Sequence, residues 1–435
     1  MARSPTHEAL AIRLETLVRS YVPVQGDIRV VVGVGVGTQH CFLTFPRHGS
    51  ADELRVNEDT LFEIGSTTMA FTACLMAEMV ANKHVQFDDP VTKFLPARVR
   101  MPSHRGQEIT LLDLANQTSG LPRLPLNFLG TVTDPANPCR DYTVDHLYAF
   151  LSSYQLRRPV GWRREHSNLG MGLLGHALSL ASGQEYQQAL ADHVCKPLGL
   201  RDTTVSLNAE QSARFVAGYS AAGQSVRPWD MPALVGAGGL RSTARELLTF
   251  LQHCLAKRGP LQEALTMCLT PTRKSGRSAP GVLRYGLGTG LALLVLAALW
   301  QLSLVPGKGW FFFLSLLPPL AAALYGGFGP GLAAALILNA GARLIYGEGF
   351  NLPLHGLAGM VLAWMASSNH RERSRWEVLG WARHHGTLWQ SGETGGYASF
   401  VGLDAQRDAA VVVLSNCAAP VANLGFQVLD IVNER

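Results

Sequence analysis

The chain has 435 residues, which is long enough for two or three domains with a large core. Its formal net charge is +5, only 16% of its residues are charged, and no run of lysine and arginine stands out. This composition argues against nucleic acid as the main partner. The seven cysteines are scattered and form no C-x-x-C pair, so the sequence predicts neither a zinc knuckle nor a disulfide framework and favours a reducing compartment.

The first predicted element is an amphipathic surface helix over residues 10–22, which contains charged residues such as Arg13 and Glu15. No apolar segment with a small-residue cleavage site precedes it, so we do not expect a cleaved secretory signal. A β-hairpin over residues 28–37 and Gln39–Phe45 follows. The glycines of its first strand lack the helix that must follow a nucleotide-binding loop, and we expect no cofactor.

The remaining polar part of the chain alternates helical and extended patterns. Residues 66–82 have the pattern of a helix. Near the C-terminus, residues 376–382, 397–403 and Ala409–Ser415 have the pattern of strands, and a closing helix over residues 421–432 follows them. We therefore expect elements from both ends of the chain to share one sheet, with a mainly helical middle.

The composition changes sharply near Gly288. Between residues 289 and 369 the formal charges are limited to Lys308, Arg343 and Glu348. We divide this block into four apolar runs: residues 290–305, 310–325, 327–346 and 352–367. Each run is close to the about 17–25 residues that span a bilayer, although three are at or just below the short end. Arginines on both sides predict that both flanks are cytoplasmic.

This block therefore predicts an inserted all-α transmembrane segment of about four helices. The protein would be a multi-pass membrane protein with a cytoplasmic soluble domain and the lipid bilayer as a partner. The alternative is a buried helical subdomain, because short apolar runs also build protein cores.

Six different short segments, taken in their order along the chain, are informative together. They are residues 63–68 (Glu-Ile-Gly-Ser-Thr-Thr), 109–122, 166–175 (beginning His-Ser-Asn), 196–200, 236–243 and 390–396 (beginning Gln-Ser-Gly). Together they closely resemble the class C β-lactamase family, with its esterase and D,D-peptidase relatives, over residues 8–288 and 376–435.

The resemblance implies an α/β (α+β) fold of the β-lactamase/transpeptidase type. Such a fold has an antiparallel sheet flanked by helices plus a helical subdomain, with the site between them. It also implies that one β-lactamase-like domain is built from two parts of the chain, residues 1–288 and 376–435. Residues 289–375 would then be an insertion into one of its loops.

Four positions correspond to catalytic residues of this family. Ser66 matches the nucleophile, and Met69 occupies the place of the lysine base in S-x-x-K, where a thioether has no proton to exchange. His166 replaces the tyrosine of Y-x-N, while Asn168 of that motif is retained and would orient a substrate carbonyl or amide. With an unperturbed pKa of about 6.5, His166 could act as a base, and the alternative is a histidine that fills a decayed site.

The substrate-binding positions near the C-terminus are changed as well. Gln390, Ser391 and Gly392 stand where relatives carry K-T-G or H-x-G. A cation or proton donor has thus become a neutral amide, which weakens the expectation that a substrate carboxylate is recognised here. The Glu393 N–H is the candidate for a second oxyanion donor, although an extra carboxylate beside an oxyanion is unfavourable. No ligand spacing suggests a metal site.

Two functional hypotheses follow. Loss of the proton-handling partners of a catalytic serine removes about 10⁴- to 10⁶-fold in rate. The first hypothesis is therefore a membrane-associated pseudoenzyme with a degenerate hydrolytic site, which binds or scaffolds a small-molecule, peptide or acyl ligand. The alternative is an active serine hydrolase of the esterase, D,D-peptidase or β-lactamase type, with Ser66 as nucleophile and His166 as base.

Overall fold

The computed structural model describes residues 12–14, 16–18, 21, 28–45, 56–256, 258–270, 272–274 and 376–433. All of them belong to one compact unit, which is formed by residues 1–276 and 374–435. The expected domain limit at residue 288 and the apolar runs after it lie outside the described residues, so the division of the chain stays a prediction.

Strands from both ends of the chain form the main sheet. The described strands are β1 (Val30–Val36), β2 (Gln39–Phe45), β3 (Leu61–Glu63), β4 (Gly218–Tyr219), β5 (Ser225–Val226), β6 (Arg241–Thr243), β7 (Arg273–Lys274), β8 (Trp376–Glu377), β9 (Ala382–His384), β10 (Thr387–Glu393), β11 (Ala398–Asp404) and β12 (Ala409–Ser415). Six of them form one sheet in the order β2-β1-β12-β11-β10-β9, and every neighbouring pair is antiparallel. The prediction that both ends share one sheet is confirmed, since Val30 lies opposite Ser415.

Helices cover the sheet and fill the middle of the chain. The helices with described bounds are α1 (Thr68–Ala81), α2 (Leu111–Ala115), α3 (Val144–Ser153), α4 (Asn168–Ser182), α5 (Tyr186–Leu190), α6 (Ala209–Ala213), α7 (Val235–Gly238), α8 (Ala244–Leu255), α9 (Gln262–Leu269) and α10 (Ala422–Asn433). Residues 12–14, 16–18 and 21, within the predicted N-terminal helix, are helical as well. Helices α1 to α7 lie between β3 and β6 in the chain, which is the helical middle that the sequence predicted.

The two faces of the sheet pack against different helices. Val31 and Val412 belong to the core that contains α8, whereas Val32 and Val413 belong to a smaller core formed with α10. Because successive side chains of a strand point to opposite faces, both β1 and β12 are apolar along almost their whole length. The antiparallel sheet flanked by helices that the resemblance implied is confirmed.

Helix α1 runs through the middle of the larger core. All of its residues except the last two are buried, which explains why it has no polar face. A single turn of 3₁₀ helix, Gly65–Thr67, precedes it. The helix predicted over residues 66–82 is therefore present, with Ser66 in the turn that leads into it.

Residues 376–382, predicted as one strand, are interrupted by a turn between β8 and β9. Gly380 has a φ of +68°, which is the left-handed region. A Cβ at this position would lie 2.6 Å from the Cβ of Ala73 and 2.7 Å from the carbonyl oxygen of Met69. The turn therefore rests directly on α1. This contact breaks the strand, and the local sequence pattern gives no indication of it.

The expected membrane location with a cytoplasmic soluble domain is wrong, and a lipid bilayer is not shown as a partner. Among the described residues, no helix is both long and apolar enough to cross a bilayer. The four apolar runs themselves lie outside those residues. The prediction relied on runs that were mostly at the short limit for a bilayer span, and runs of that length are equally suited to a protein core, as buried α1 illustrates.

Replacement of Gly380 by alanine is expected to destabilise the fold, because the left-handed φ and the clash with α1 act together. The left-handed conformation alone costs about 1–2 kcal/mol in a residue with a Cβ. Gly386 is the matched control, since its φ is +90° and a Cβ there meets no described atom within 4 Å. Urea denaturation should show a larger loss for Gly380→Ala than for Gly386→Ala. Equal losses would mean that the contact with α1 adds no constraint.

Candidate active site

A cavity of about 580 Å³ brings together most of the site residues predicted from the sequence. The predicted residues that line it are Ser66, His166, Asn168, Gln390, Ser391 and Glu393. The other two, Met69 and Gly392, are buried. The turn before α1, the start of α4 and strand β10 thus meet at one cavity.

Ser66 lies in the turn between β3 and α1, and hydroxyl contacts fix that turn to the sheet. Thr67 Oγ1 and Ser399 Oγ are 2.8 Å apart, and Ser399 Oγ donates to the carbonyl oxygen of Ile64 at 2.7 Å. The Thr67 N–H donates to the same oxygen at 3.1 Å. Because Ser399 belongs to β11, the sheet holds the half-buried Ser66 at the cavity surface.

The turn at Ser66 and strand β10 approach each other so closely that no side chain fits at the contact. Gly65 has a φ of +47°, and a Cβ there would lie 2.7 Å from the Glu393 nitrogen. A Cβ at Gly392 would lie 2.0 Å from the Ile64 oxygen and 2.6 Å from the Ser66 nitrogen. The backbone nitrogens of Ser66 and Glu393 therefore belong to one close contact, as the two donors of an oxyanion hole must.

His166 precedes α4 and is hydrogen-bonded to the first residue of that helix. Its Nε2 lies 3.0 Å from Asn168 Oδ1. An amide oxygen only accepts, so this bond favours the proton on Nε2 and leaves Nδ1 as the basic nitrogen. Burial, followed by the positive charge of Arg123, lowers the pKa of His166 below its ordinary value. The imidazole is therefore neutral at pH 7 and able to accept a proton.

Met69 is fully buried, and its sulfur accepts a hydrogen bond from a residue that the sequence analysis missed. Gln117 Nε2 donates to Met69 Sδ at 3.2 Å, while Gln117 Oε1 accepts from the Ser167 N–H at 2.6 Å. Gln117 has a φ of +60°, and strained positions of this kind cluster at functional sites. Gln117 thus joins the position of the missing lysine to the segment that carries His166 and Asn168.

Gln390 lies on β10, and its amide is hydrogen-bonded to two backbone groups. Nε2 donates to the carbonyl oxygen of Gly380 at 3.0 Å, and Oε1 accepts from the Ser391 N–H at 3.2 Å. Where relatives carry a cation or proton donor, this chain has a side chain that stabilises the turn resting on α1. The Glu393 side chain, by contrast, is exposed, so solvent screens its carboxylate.

A buried carboxylate beside the cavity was also missed. Glu63 Oε1 accepts from the Trp229 N–H at 2.8 Å and from the Arg241 guanidinium at 3.2 Å. Burial raises the pKa of Glu63, and the charge of Arg241 opposes that rise. Because Trp229 lines the cavity, Glu63 positions an aromatic part of its wall. The family segment contained Glu63, but only the fold shows that its partners lie in distant segments.

Two arginines that the sequence analysis did not single out add positive charge to the cavity. Arg123 and Arg164 both line it, and Arg164 Nη2 donates to the carbonyl oxygen of Trp381 at 3.4 Å. Arg123 lies just beyond the segment 109–122, and Arg164 lies just before the segment that begins at His166. Their positions next to two of the six family segments were the signal in the sequence that could have identified these arginines.

The sequence model of the β-lactamase family matches residues 29–427. The chain belongs to the β-lactamase family. The resemblance inferred from the six segments is therefore confirmed at the level of the serine β-lactamase family. An inserted membrane segment is not among the features that this match shows.

Curated relatives in the β-lactamase family match about half of the chain. One is the D-alanyl-D-alanine-carboxypeptidase/endopeptidase AmpH of Escherichia coli (strain K12), 29% identical over 222 residues, which are 51% of this chain and 55% of the relative. Another is a β-lactamase of Pseudomonas fluorescens, 31% identical over 216 residues, which are 48% of this chain and 56% of the relative. The chain spans about half the length of the curated relatives it matches.

Solved structures of β-lactamase-family proteins share the fold of this chain. A class C β-lactamase from Rhodobacter sphaeroides has a TM-score of 0.61 and 21% identity, covering 98% of this chain and 99% of that one. A β-lactamase/D-alanine carboxypeptidase from Pseudomonas syringae has a TM-score of 0.61 and 19% identity, covering 97% and 99%. At such identities the likeness shows the fold alone.

Removal of the Gln117 amide should loosen the segment that carries His166. Gln117→Leu leaves the buried Ser167 N–H without its acceptor, which costs about 1–3 kcal/mol. Gln107→Leu is the matched control, because Gln107 is exposed and its side-chain amide reaches the Val160 oxygen only at 3.4 Å. Urea unfolding should show a clear loss for Gln117→Leu and almost none for Gln107→Leu. Two equally small losses would show that Gln117 does not hold this segment.

Proposed function

We propose that the protein is a serine hydrolase of the β-lactamase family, with Ser66 as nucleophile and His166 as base. The observation that carries the proposal is that a neutral imidazole and the Ser66 hydroxyl line one cavity, beside the backbone nitrogens of Ser66 and Glu393. Relatives named as a carboxypeptidase and as β-lactamases support an enzyme over the pseudoenzyme hypothesis.

The reaction begins when Ser66 Oγ attacks the carbonyl carbon of an ester or amide. The hydroxyl proton passes to His166 Nδ1, and the Asn168 contact at Nε2 holds the ring in the required tautomer. The N–H groups of Ser66 and Glu393 stabilise the oxyanion of the tetrahedral intermediate. The protonated imidazole then donates to the leaving group, and the neutral ring activates a water that hydrolyses the acyl-enzyme.

The base in this mechanism is a histidine and not the lysine of the S-x-x-K motif. This difference should affect the rate of hydrolysis. A histidine with a lowered pKa is fully available as a base at neutral pH, but it is weaker than a group whose pKa lies near 7. General acid–base catalysis contributes about 10²- to 10⁴-fold, so an imperfect base costs part of that factor and not the whole enhancement. We expect slow but measurable turnover of activated esters.

The wall of the cavity supports small-molecule or peptide substrates with an apolar acyl group. Leu124, Phe128, Trp229, Met231 and Leu234 contribute apolar or aromatic surface to the lining. Such surface binds acyl chains through the hydrophobic effect, while polar groups at Ser66 and Asn168 orient the carbonyl.

A binding module remains the second candidate, and one observation favours it. Met69 is sealed in the core and the Gln390 amide is bound to Gly380, so two of the three changed positions no longer present proton-handling groups to a substrate. If His166 does not act on Ser66, the cavity would bind an acyl or peptide ligand without turning it over.

Covalent labelling distinguishes the two candidates. The full-length protein should react with a fluorescent fluorophosphonate, and Ser66→Ala should abolish the label because the attacked phosphorus bonds to Ser66 Oγ. Ser103→Ala is the control, since Ser103 is an exposed serine outside the described cavity lining. Labelling that persists in Ser66→Ala, or absence of labelling in the wild type, would contradict the hydrolase proposal.

The pH dependence of ester hydrolysis should report His166. Burial and then Arg123 lower its pKa from 6.5, so kcat/KM for para-nitrophenyl acetate should be constant above pH 7 and fall with decreasing pH below 6.5, as the ring becomes protonated. His166→Ala should remove this dependence and reduce the rate about 10²- to 10⁴-fold.

His176→Ala is the matched control for that profile. Burial also lowers the pKa of His176, but its ring is hydrogen-bonded to Tyr148 at 2.6 Å and it is not among the described residues that line the cavity. The profile should keep its shape in this variant. A profile that keeps its shape in His166→Ala would exclude His166 as the base.

A further inference from the structure

Two strongly exposed leucines lie in a segment that forms part of the wall of the Ser66 cavity. Leu129 is 81% exposed and Leu126 is 69% exposed, which makes them the most exposed large apolar side chains among the described residues. Leu124 and Phe128 of the same segment line the cavity. Isolated exposed leucines need no explanation, whereas a pair of them in one short segment of a cavity wall indicates a place of contact.

Hydrogen bonds and ring packing fix the two residues between these leucines. Asn127 Nδ2 donates to the carbonyl oxygen of His146 at 2.9 Å, and Asn127 Oδ1 accepts from the Tyr142 hydroxyl at 3.2 Å. The Phe128 side chain is buried, and its ring centre lies 5.6 Å from that of Tyr142. Because both residues are held against the body of the protein, the leucines on either side stay exposed in a defined place.

The exposed leucines continue the apolar wall of the cavity. Consecutive Cα atoms are about 3.8 Å apart, so Leu129 directly adjoins the lining residue Phe128, and Leu126 lies two residues before it. Residues 124–132 contain no charged side chain. A Cβ at Gly130 would meet no described atom within 4 Å, so there is open space next to Leu129. An apolar group that leaves the cavity along this wall would reach both leucines.

We propose that Leu126 and Leu129 bind the distal part of an acyl chain whose carbonyl lies at Ser66, and so select esters or amides of medium- to long-chain fatty acids. An acyl chain suits this surface because its carbonyl must lie at the nucleophile while its hydrocarbon follows the apolar wall. Each CH₂ group that is buried there contributes about 4-fold to binding. This inference rests on the proposed function, because it assigns the substrate class of the same site.

The test compares the hydrolysis of two esters by the full-length protein. para-Nitrophenyl octanoate and para-nitrophenyl butyrate share a leaving group and differ only in the length of the acyl chain. Both are used below the concentration at which the octanoate aggregates. The wild type is expected to prefer the octanoate about 10-fold or more, as the ratio of the two kcat/KM values, because the additional CH₂ groups are buried. A preference for the butyrate would overturn the proposal.

The double variant Leu126→Ser/Leu129→Ser is expected to lower that ratio about 10-fold, because polar side chains replace the apolar contact. Leu126→Met/Leu129→Met should keep most of the ratio, since methionine is apolar and of similar volume. Because both leucines are exposed, neither variant should unfold, and thermal unfolding verifies this. A ratio that is the same in the serine variant and in the wild type overturns the proposal.

Leu180→Ser is the matched control for the loss of an exposed leucine. Leu180 belongs to α4, is 40% exposed and is not among the described residues that line the cavity. This variant should keep the wild-type ratio. A ratio that falls as far as in the double serine variant would show that the effect is not specific to the cavity wall and would contradict the proposal.

A second copy of this chain is the other occupant to be tested. Sedimentation velocity of the wild type and of the double serine variant is measured at the protein concentration of the kinetic assay. A variant that differs from the wild type in its association state but not in its ester ratio would assign the leucines to an interface between copies, and the proposal would be wrong. The same association state with a lowered ratio supports acyl binding.

A binding measurement separates this inference from the hydrolase proposal. Octanamide and butanamide can be titrated against tryptophan fluorescence, because Trp229 lines the cavity. The wild type should bind octanamide about 10-fold or more tightly than butanamide, and the double serine variant should lose most of this preference. If no ester is hydrolysed but this dependence on the leucines holds, the hydrolase proposal fails and the inference stands. If esters are hydrolysed with a ratio that does not depend on the leucines, the inference alone fails. If neither hydrolysis nor the dependence is found, both fail.

Discussion

The site depends on one backbone contact, between the turn at Gly65–Ser66 and the end of strand β10 at Gly392–Glu393. It joins a segment that precedes α1 to a strand from the C-terminal part of the sheet. Glycine at both inner positions permits the approach, since a Cβ on either side would overlap backbone atoms. Because the contact consists of backbone atoms, the geometry of the nucleophile position and of the two N–H donors can persist while the polar side chains around it change. Such a site keeps its family scaffold when its motif residues differ.

Met69 and Gln117 show how a changed side chain is accommodated by its neighbours. The Gln117 amide directs its N–H₂ group at the Met69 sulfur, which accepts, and its oxygen at the Ser167 N–H. A lysine ammonium at position 69 is a donor without acceptor capacity, so it would require the amide oxygen to turn toward it. That rotation would place the amide N–H₂ group against the Ser167 N–H, leaving two donors opposed in a buried region. Residues 69 and 117 are therefore coupled, and lysine at position 69 would need a different partner at 117.

The sequence could predict the backbone of this protein better than the roles of its side chains. The hairpin at residues 28–45 follows from a local pattern, whereas the antiparallel sheet and the grouping of Ser66 with His166 are what the resemblance to the β-lactamase family implied. The turn at Gly380 and the bridging role of Gln117 do not, because each is set by contacts with residues far away in sequence. The membrane prediction failed for a related reason. Apolar composition alone does not distinguish burial in protein from burial in lipid, and the runs that suggested it were of marginal length.

The surroundings of His166 determine how well it can serve as the base of the proposed mechanism. Burial, followed by the charge of Arg123 and then by that of Arg164, lowers the pKa of the imidazole, while the hydrogen bond to Asn168 opposes that change. The ring is therefore neutral at pH 7, as a base must be before it accepts a proton. The same surroundings disfavour the imidazolium that would form when Ser66 gives up its proton, which raises the barrier. The cavity thus keeps the base available at neutral pH and at the same time weakens it.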